Sequence, residues 1–294
     1  MRTASKTLVL AGLNICILLS ACAARATGPQ STGPATNVSP GNVATVRDAH
    51  EGLNGVLWMQ TAAEYWALAS AAYRHAQIAL EESLKDTSWT ASLEQGSGYQ
   101  ARPGAVILDL DETVLDNSRL QAQLVLDGTL YLPATWDVWV DKAAAGLVPG
   151  SKDFITFAAS KGVRTFFVTN RTVSEQEKTI ANLAALGIPA SDDTVLCVGE
   201  NGWTSDKSVR RAQLAKTYRI LLLVGDDMND FVSTANLSPA QRTELAQKHA
   251  NRWAKDWILL PNPLYGTWER ALYPGLTDER EILARKRSLV EGFK

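Results

Sequence analysis

Residues 105–117 read Ala-Val-Ile-Leu-Asp-Leu-Asp-Glu-Thr-Val-Leu-Asp-Asn. An apolar run ends in Asp109 and Asp111, with one residue between them. The run has the character of a buried central strand. Alternate side chains of a strand share a face, so the spacing predicts two carboxylates aimed one way, with Cα atoms about 6–7 Å apart. Two like charges about 4 Å apart repel by roughly 4 kcal/mol at an effective dielectric near 20. Such a pair calls for a metal ion, a proton or a cationic partner. Three later segments carry further groups: Thr169-Asn170-Arg171, Lys207, and Asp226-Asp227-Met228-Asn229-Asp230. Taken singly, these are the residues of turns, helix caps and solvated surfaces. Taken together they offer carboxylates, a hydroxyl and an ammonium.

The elements that must bring these residues together are legible in outline. Strands are predicted at residues 105–110, 163–169, 194–198, 220–225 and 257–260, with helices between them. Residues 52–85 keep helical spacing, as one helix or two. Ser174 and Glu177 form a predicted capping box, opening a helix that runs to Leu186 and stops at Gly187. Residues 207–216 predict another helix, and residues 95–103 a loop. Alternating strands and helices give an α/β fold: a central, mainly parallel sheet with helices on both faces. In such sheets the ligand site lies beyond the C-terminal ends of the strands, where the groups above fall. Residues 115–160 are long for one crossover and predict a small helical module inserted over the strand ends.

The chain has 294 residues, 46% of them hydrophobic and 20% charged, with a net charge of -2. This balance gives no reason to expect a nucleic acid polymer as partner. Arg2 and Lys6 precede a short apolar stretch at residues 7–19 that is too short to span a bilayer. Leu19-Ser20-Ala21-Cys22 resembles the bacterial lipobox, which predicts a signal peptide at residues 1–22 and lipidation of Cys22. The plainer alternative is an ordinary cleaved secretory signal. Ala23 at the next position favours an outer-membrane address over inner-membrane retention. Residues 23–44 are rich in Gly, Pro, Ser, Thr and Asn and read as a tether, leaving residues 45–294 as the functional domain. Only Cys197 would remain in that domain, in an apolar run that predicts a buried structural thiol.

The motif set resembles the haloacid dehalogenase superfamily of phosphohydrolases. The four matching segments are the DLDET run at Asp109, the VTN run at Thr169, Lys207, and the GDDMND run at Asp226. Residues 56–65, 135–141, 207–210 and 260–269 narrow the resemblance to the class C acid phosphatases, a group of bacterial outer-membrane lipoproteins. The resemblance implies a Rossmann-like fold with a small helical cap module. It also implies a Mg²⁺-dependent acid phosphatase acting on phosphomonoesters, nucleoside 5′-monophosphates by preference. Asp109 would be the nucleophile and form an aspartyl-phosphate. Asp111 would serve as general acid and base and lend its backbone carbonyl to the metal. Thr169 would bond a phosphoryl oxygen beside Asn170, and Lys207 would neutralise charge. Asp109, Asp226 and Asp230 would complete the metal site. Their hard oxygen ligands suit Mg²⁺, and no His/Cys cluster suggests zinc. Asp227 is expected to cap or support. Among the aromatics, Tyr265 and one of Trp136 and Trp139 would stack on the nucleoside, the other tryptophan serving as packing. A homodimer is the assembly the resemblance suggests.

Two other readings use the same residues. One is a surface lipoprotein that captures a nucleotide, cofactor or haem for uptake. The other is a phosphotransferase working through the same aspartyl-phosphate.

Overall fold

The computed structural model describes residues 51–292. The signal peptide, tether and Cys22 lie outside the described residues. Among those described, no helix is long and apolar enough to cross a membrane.

Two helices come first, α1 (Leu53–Thr61) and α2 (Ala63–Lys85). Then follow β1 (Gly104–Leu108), β2 (Leu115–Asp116), α3 (Ser118–Asp127), α4 (Pro133–Asp141), β3 (Gly146–Leu147) and α5 (Ser151–Ser160). The chain continues through β4 (Arg164–Thr172), α6 (Gln176–Ala185), β5 (Val195–Val198), α7 (Ser208–Ala215) and β6 (Arg219–Gly225). It ends with α8 (Pro239–Lys248), β7 (Trp257–Leu259), α9 (Thr267–Arg270) and α10 (Glu279–Ser288). Five strands form one sheet in the order β5-β4-β1-β6-β7, and every pairing is parallel. This is the expected α/β architecture.

Period-two alternation places β1 between two cores. Val106 and Leu108 enter one apolar cluster with Leu80 of α2, Phe154 of α5 and Leu183 of α6. Ala105 and Ile107 enter the other, with Leu214 of α7, Phe231 and Trp257. Burial on both faces explains why the strand reads as a continuous apolar run rather than an alternating one.

The structure corrects several boundaries. The first strand ends at Leu108, so Asp109 and Asp111 stand on the loop beyond it rather than on a strand face. The helical stretch takes the two-helix form of the two arrangements expected: it breaks at Ala62, which is extended (ψ 128°), and Trp58 packs edge-on against Tyr65 across the bend, with ring centroids 5.5 Å apart. The capping box is Thr172 with Glu175, not Ser174 with Glu177. The second predicted strand runs on to Thr172, which pairs with Val198, and so reaches this cap. Lys207 is the N-cap of α7 rather than its first turn.

The inserted module is smaller than residues 115–160. Antiparallel β2 and β3 form its base, with α3 and α4 between them. The remaining helix, α5, is the crossover of the main sheet. Its Phe154, Ile155 and Ala158 are buried in the core, and it packs on α2 and β4.

Candidate active site

The tips of β1, β4 and β6 bring the predicted residues together. Lys207, 4% exposed, lies between two carboxylates. Its Nζ donates to Asp109 Oδ1 at 2.5 Å and to Asp230 Oδ1 at 2.5 Å. Burial alone would lower the ammonium's pKa, but Asp109 and Asp230 outweigh it and hold the group firmly protonated. Asp226 completes the cluster. Carboxylate oxygens of Asp109, Asp226 and Asp230 lie within 4.8 Å of one another. Thr113 Oγ1 donates to Asp226 at 3.2 Å, and Asn262 Nδ2 donates to it at 2.8 Å. Burial, then the charges of Asp109 and Asp230, push the Asp226 carboxyl well above its usual range. Burial also pushes Asp230 up to about 7, with Lys207 pulling down and Asp109 and Asp227 pushing up. One ammonium does not balance three carboxylates. An all-oxygen, charge-deficient cluster of this kind fits a hard divalent cation.

The loop after β6 explains why these carboxylates converge. Residues 228–230 form a 3₁₀ turn rather than an α-helix, so Asp226 and Asp230 meet through a tight turn and not along a helix face. A Cβ on Gly225 would stand 2.2 Å from an Asp230 carboxylate oxygen, so only glycine allows this approach. The Asp227 backbone N–H donates to Asp230 Oδ2 at 2.9 Å. The Asp227 side chain turns away, accepting from Asn229 N at 2.9 Å and Thr267 N at 2.6 Å. It is a cap and a tie to α9, as expected. Arg211, fully buried, donates to the carbonyls of Asn229 at 3.1 Å and Asp230 at 3.0 Å and fixes the turn from behind.

Asp111 does not join this cluster through its side chain. It pairs with Arg171, whose Nη2 lies 2.7 Å from Asp111 Oδ1. Asn117 Nδ2 donates to the same oxygen at 2.9 Å. The next residue, Glu112, is fully buried and holds a left-handed backbone (φ 59°), a strained state enriched at functional sites. Burial and then Asp111 push its carboxyl up to about 8, against hydrogen bonds from Tyr265 and Asn117. Thr169 is fully buried, its Oγ1 accepting from the Arg171 backbone N–H at 3.0 Å. Asn170 is exposed, and its Oδ1 accepts from Arg210 Nη2 at 3.0 Å.

The family model for the HAD superfamily, subfamily IIIB (acid phosphatase), matches residues 34–268. The chain belongs to this family. It is similar to the class C acid phosphatase from Bacillus anthracis, at 33% identity and a TM-score of 0.74 over 82% of this chain and 97% of that one. A second structure of class C acid phosphatase from that organism, with tungstate bound, matches at 32% identity and a TM-score of 0.73 over the same shares. The protein is therefore a class C-type acid phosphatase and a phosphomonoester hydrolase. A purely binding lipoprotein is set aside.

The phosphatase's three predicted aromatics all line this region, and each has its polar tip engaged. Trp136 Nε1 donates to Glu175 Oε1 at 2.5 Å, and its ring faces the Arg171 guanidinium at 5.2 Å. Trp139 Nε1 donates to Asn117 Oδ1 at 2.7 Å. The Tyr265 hydroxyl donates to Glu112. Sequence reasoning gave no role to Arg171, Asn117, Glu112, Asn262, Arg210 or Arg211. Glu112, Arg210 and Asn262 carried a signal, since all three sit inside the matched runs, but their partners Tyr265, Asn170 and Asp226 lie elsewhere in the chain. Cys197 is buried, and that burial pushes its thiol up to about 12, as befits a structural residue. A cavity of about 640 Å³ lies apart from the cluster, lined by Met59, Gln60, Arg119 and Asn182 among others. It contains neither Asp109 nor Lys207. The chemistry belongs to the strand ends.

Proposed function

We propose that this acid phosphatase hydrolyses phosphomonoesters through an aspartyl-phosphate on Asp109, with Mg²⁺ held by Asp109, Asp226, Asp230 and the backbone carbonyl of Asp111. The observation that carries the reading is the pinning of Asp109 by Lys207 beside the Asp226–Asp230 pair. A carboxylate oriented by a buried ammonium is ready to attack, and the same ammonium can stabilise charge on the phosphoryl group. The bound cation would supply further neutralisation of phosphoryl oxygens. In the first step an Asp109 oxygen attacks phosphorus as the bond to the leaving oxygen breaks, and Asp111 gives that oxygen its proton. In the second step water attacks phosphorus, Asp111 takes the water's proton, and the Asp109–phosphorus bond breaks to release phosphate. Thr169 and Asn170 would hold phosphoryl oxygens at the end of β4. Tungstate, an oxyanion like phosphate, is bound in a class C relative.

Nucleoside 5′-monophosphates are the proposed preferred substrates. Trp136, Trp139 and Tyr265 flank the acid and offer aromatic surface to a base, a contact that contributes about 1–3 kcal/mol per base. The lipobox supports attachment through Cys22 to the outer membrane, with more than one acyl chain needed for stable anchoring. Loss of labelled palmitate incorporation in Cys22→Ser tests this.

The decisive experiment is hydrolysis of p-nitrophenyl phosphate and of a nucleotide panel by wild type and Asp109→Asn, with and without EDTA. Asp109→Asn should lose turnover with its circular dichroism unchanged, and Mg²⁺ should restore activity removed by EDTA. Unchanged turnover in Asp109→Asn would sink the nucleophile assignment. Full activity in metal-free buffer would sink the metal site.

A further inference from the structure

The two carboxylate oxygens of Asp111 have unequal surroundings. Oδ1 accepts from Arg171 Nη2 at 2.7 Å, Arg171 Nε at 3.1 Å and Asn117 Nδ2 at 2.9 Å. Oδ2 meets a single donor, Arg171 Nε at 3.2 Å. A proton on Oδ1 would face three N–H groups that also need an acceptor. Oδ2 is the oxygen left free to carry one.

Both donors are themselves held. Arg171 is 2% exposed, and its Nη1 donates to Thr179 Oγ1 at 3.1 Å. Its guanidinium lies over the Trp136 ring, which Glu175 fixes through the indole N–H. Asn117 is fully buried, and its backbone N–H donates to Glu112 Oε1 at 2.9 Å. Trp139 donates to Asn117 Oδ1. That bond assigns the amide nitrogen to the side facing Asp111. Trp136 and Trp139 both belong to α4 of the inserted module.

We infer that Arg171 and Asn117 are positioning residues that clamp Oδ1 of Asp111, so that Oδ2 passes the proton, and that Trp136 and Trp139 of α4 brace the clamp. The inference rests on the reading of Asp111 as the acid. It gives the tryptophans a task distinct from contact with a base: they reach the reacting atoms through Asp111. Position matters here because a misplacement of about 1 Å can lower a rate about 100-fold. Proton transfer from Oδ2 to the leaving oxygen accompanies cleavage of the phosphorus–oxygen bond. A p-nitrophenolate leaves readily without that proton, and an alkoxide does not.

The test measures kcat/KM, which stops at departure of the leaving group, for p-nitrophenyl phosphate and propyl phosphate. The Mg²⁺-loaded enzyme is compared with Asp111→Asn, Arg171→Gln and Trp139→Phe. Asp111→Asn should lose about 10²–10⁴-fold more on propyl phosphate than on the aryl ester, the usual range for a general acid. Arg171→Gln should lose about tenfold more on propyl phosphate, and Trp139→Phe about threefold more, if each loosens the acid's position. Trp139→Phe keeps one aromatic ring and removes the N–H with the rest of the indole, a smaller change than losing the buried guanidinium, so it decides the matter even where Arg171→Gln folds poorly. Equal losses on both esters in Arg171→Gln and Trp139→Phe, with the bias intact in Asp111→Asn, would overturn the clamp and leave the acid standing. Equal losses in Asp111→Asn would overturn the acid assignment and the clamp with it.

Discussion

Replacing Lys207 with methionine removes the one ammonium among the described residues that touches the buried carboxylates. The side chain is 5% exposed, and Asp109 and Asp230 each sit 2.5 Å from its nitrogen. Methionine fills similar space, so the loss is chiefly electrostatic. Breaking a buried pair by deleting one partner costs about 3–5 kcal/mol, because a charge is left uncompensated. Here three carboxylates are left within 4.8 Å of one another, so the upper end of that range is expected in EDTA at pH 7.5. The loss should depend on pH. Burial holds the native Asp230 carboxyl at about 7, against an ordinary value of 3.8. The native state therefore keeps a proton that the unfolded chain gives up. Stability is greatest below the unfolded value and falls as pH rises from about 4 through about 7. The cost of Lys207→Met should stay nearly constant up to about pH 6 and grow above about pH 7, where the wild type gives up the Asp230 proton that the variant, without the ammonium's pull, still holds. Urea denaturation at several pH values with EDTA measures it. A divalent cation at about 100 times its Kd should return about 2.7 kcal/mol. A loss under about 1 kcal/mol at pH 7.5, or one that does not grow between about pH 6 and about pH 8.5, would refute the view that Lys207 neutralises a buried excess of charge.

Four further outcomes are expected. Asn262→Ala deletes the neutral donor to Asp226 and should weaken divalent-cation affinity about 10–100-fold by calorimetry; unchanged affinity would remove Asn262 from the site. Gly225→Ala places a Cβ against the Asp230 carboxylate, so the variant should lose its cation-induced rise in Tm. Asp256, pushed up to about 6 first by burial, costs native stability when ionised; Asp256→Asn should therefore gain about 1–2 kcal/mol over wild type at pH 8 and lose that advantage towards pH 4. Cys197 should resist iodoacetamide in the native enzyme and react in urea, as peptide mass spectrometry would show; native alkylation would contradict its burial.

Much of the fold was legible because its signals are local. The apolar runs of β1 and β6 and the helical spacing of α2 report burial through neighbours in the chain. Local reading erred where competing contacts, near or far in the chain, could satisfy the same pattern. Glu175 turned back to cap Thr172, so the predicted box at Ser174 did not form. Phe154 and Ile155 packed into the main core, so α5 left the inserted module to which sequence had joined it. A tight turn, not a helix, brought Asp226 to Asp230, and nothing in their spacing distinguished the two.

By itself, the sequence determined the chemistry at the strand ends. Asp109, Lys207, Asp226 and Asp230 were identifiable as a set, because their types and order along the alternating strands and helices match one motif pattern, though none is informative singly. The tertiary structure decided how they are paired. Asp109 and Asp111, equivalent in the sequence, part company: one turns to Lys207, the other to Arg171. Arg171 lies 60 residues from Asp111, Asn262 lies 36 from Asp226, and Tyr265 lies 153 from Glu112. Hydrogen bonds and ion pairs act over a few ångströms. Only the folding of β4, β6 and the loop after β7 against β1 brings such distant residues within that range, so the partners that distinguish the two aspartates are properties of the fold.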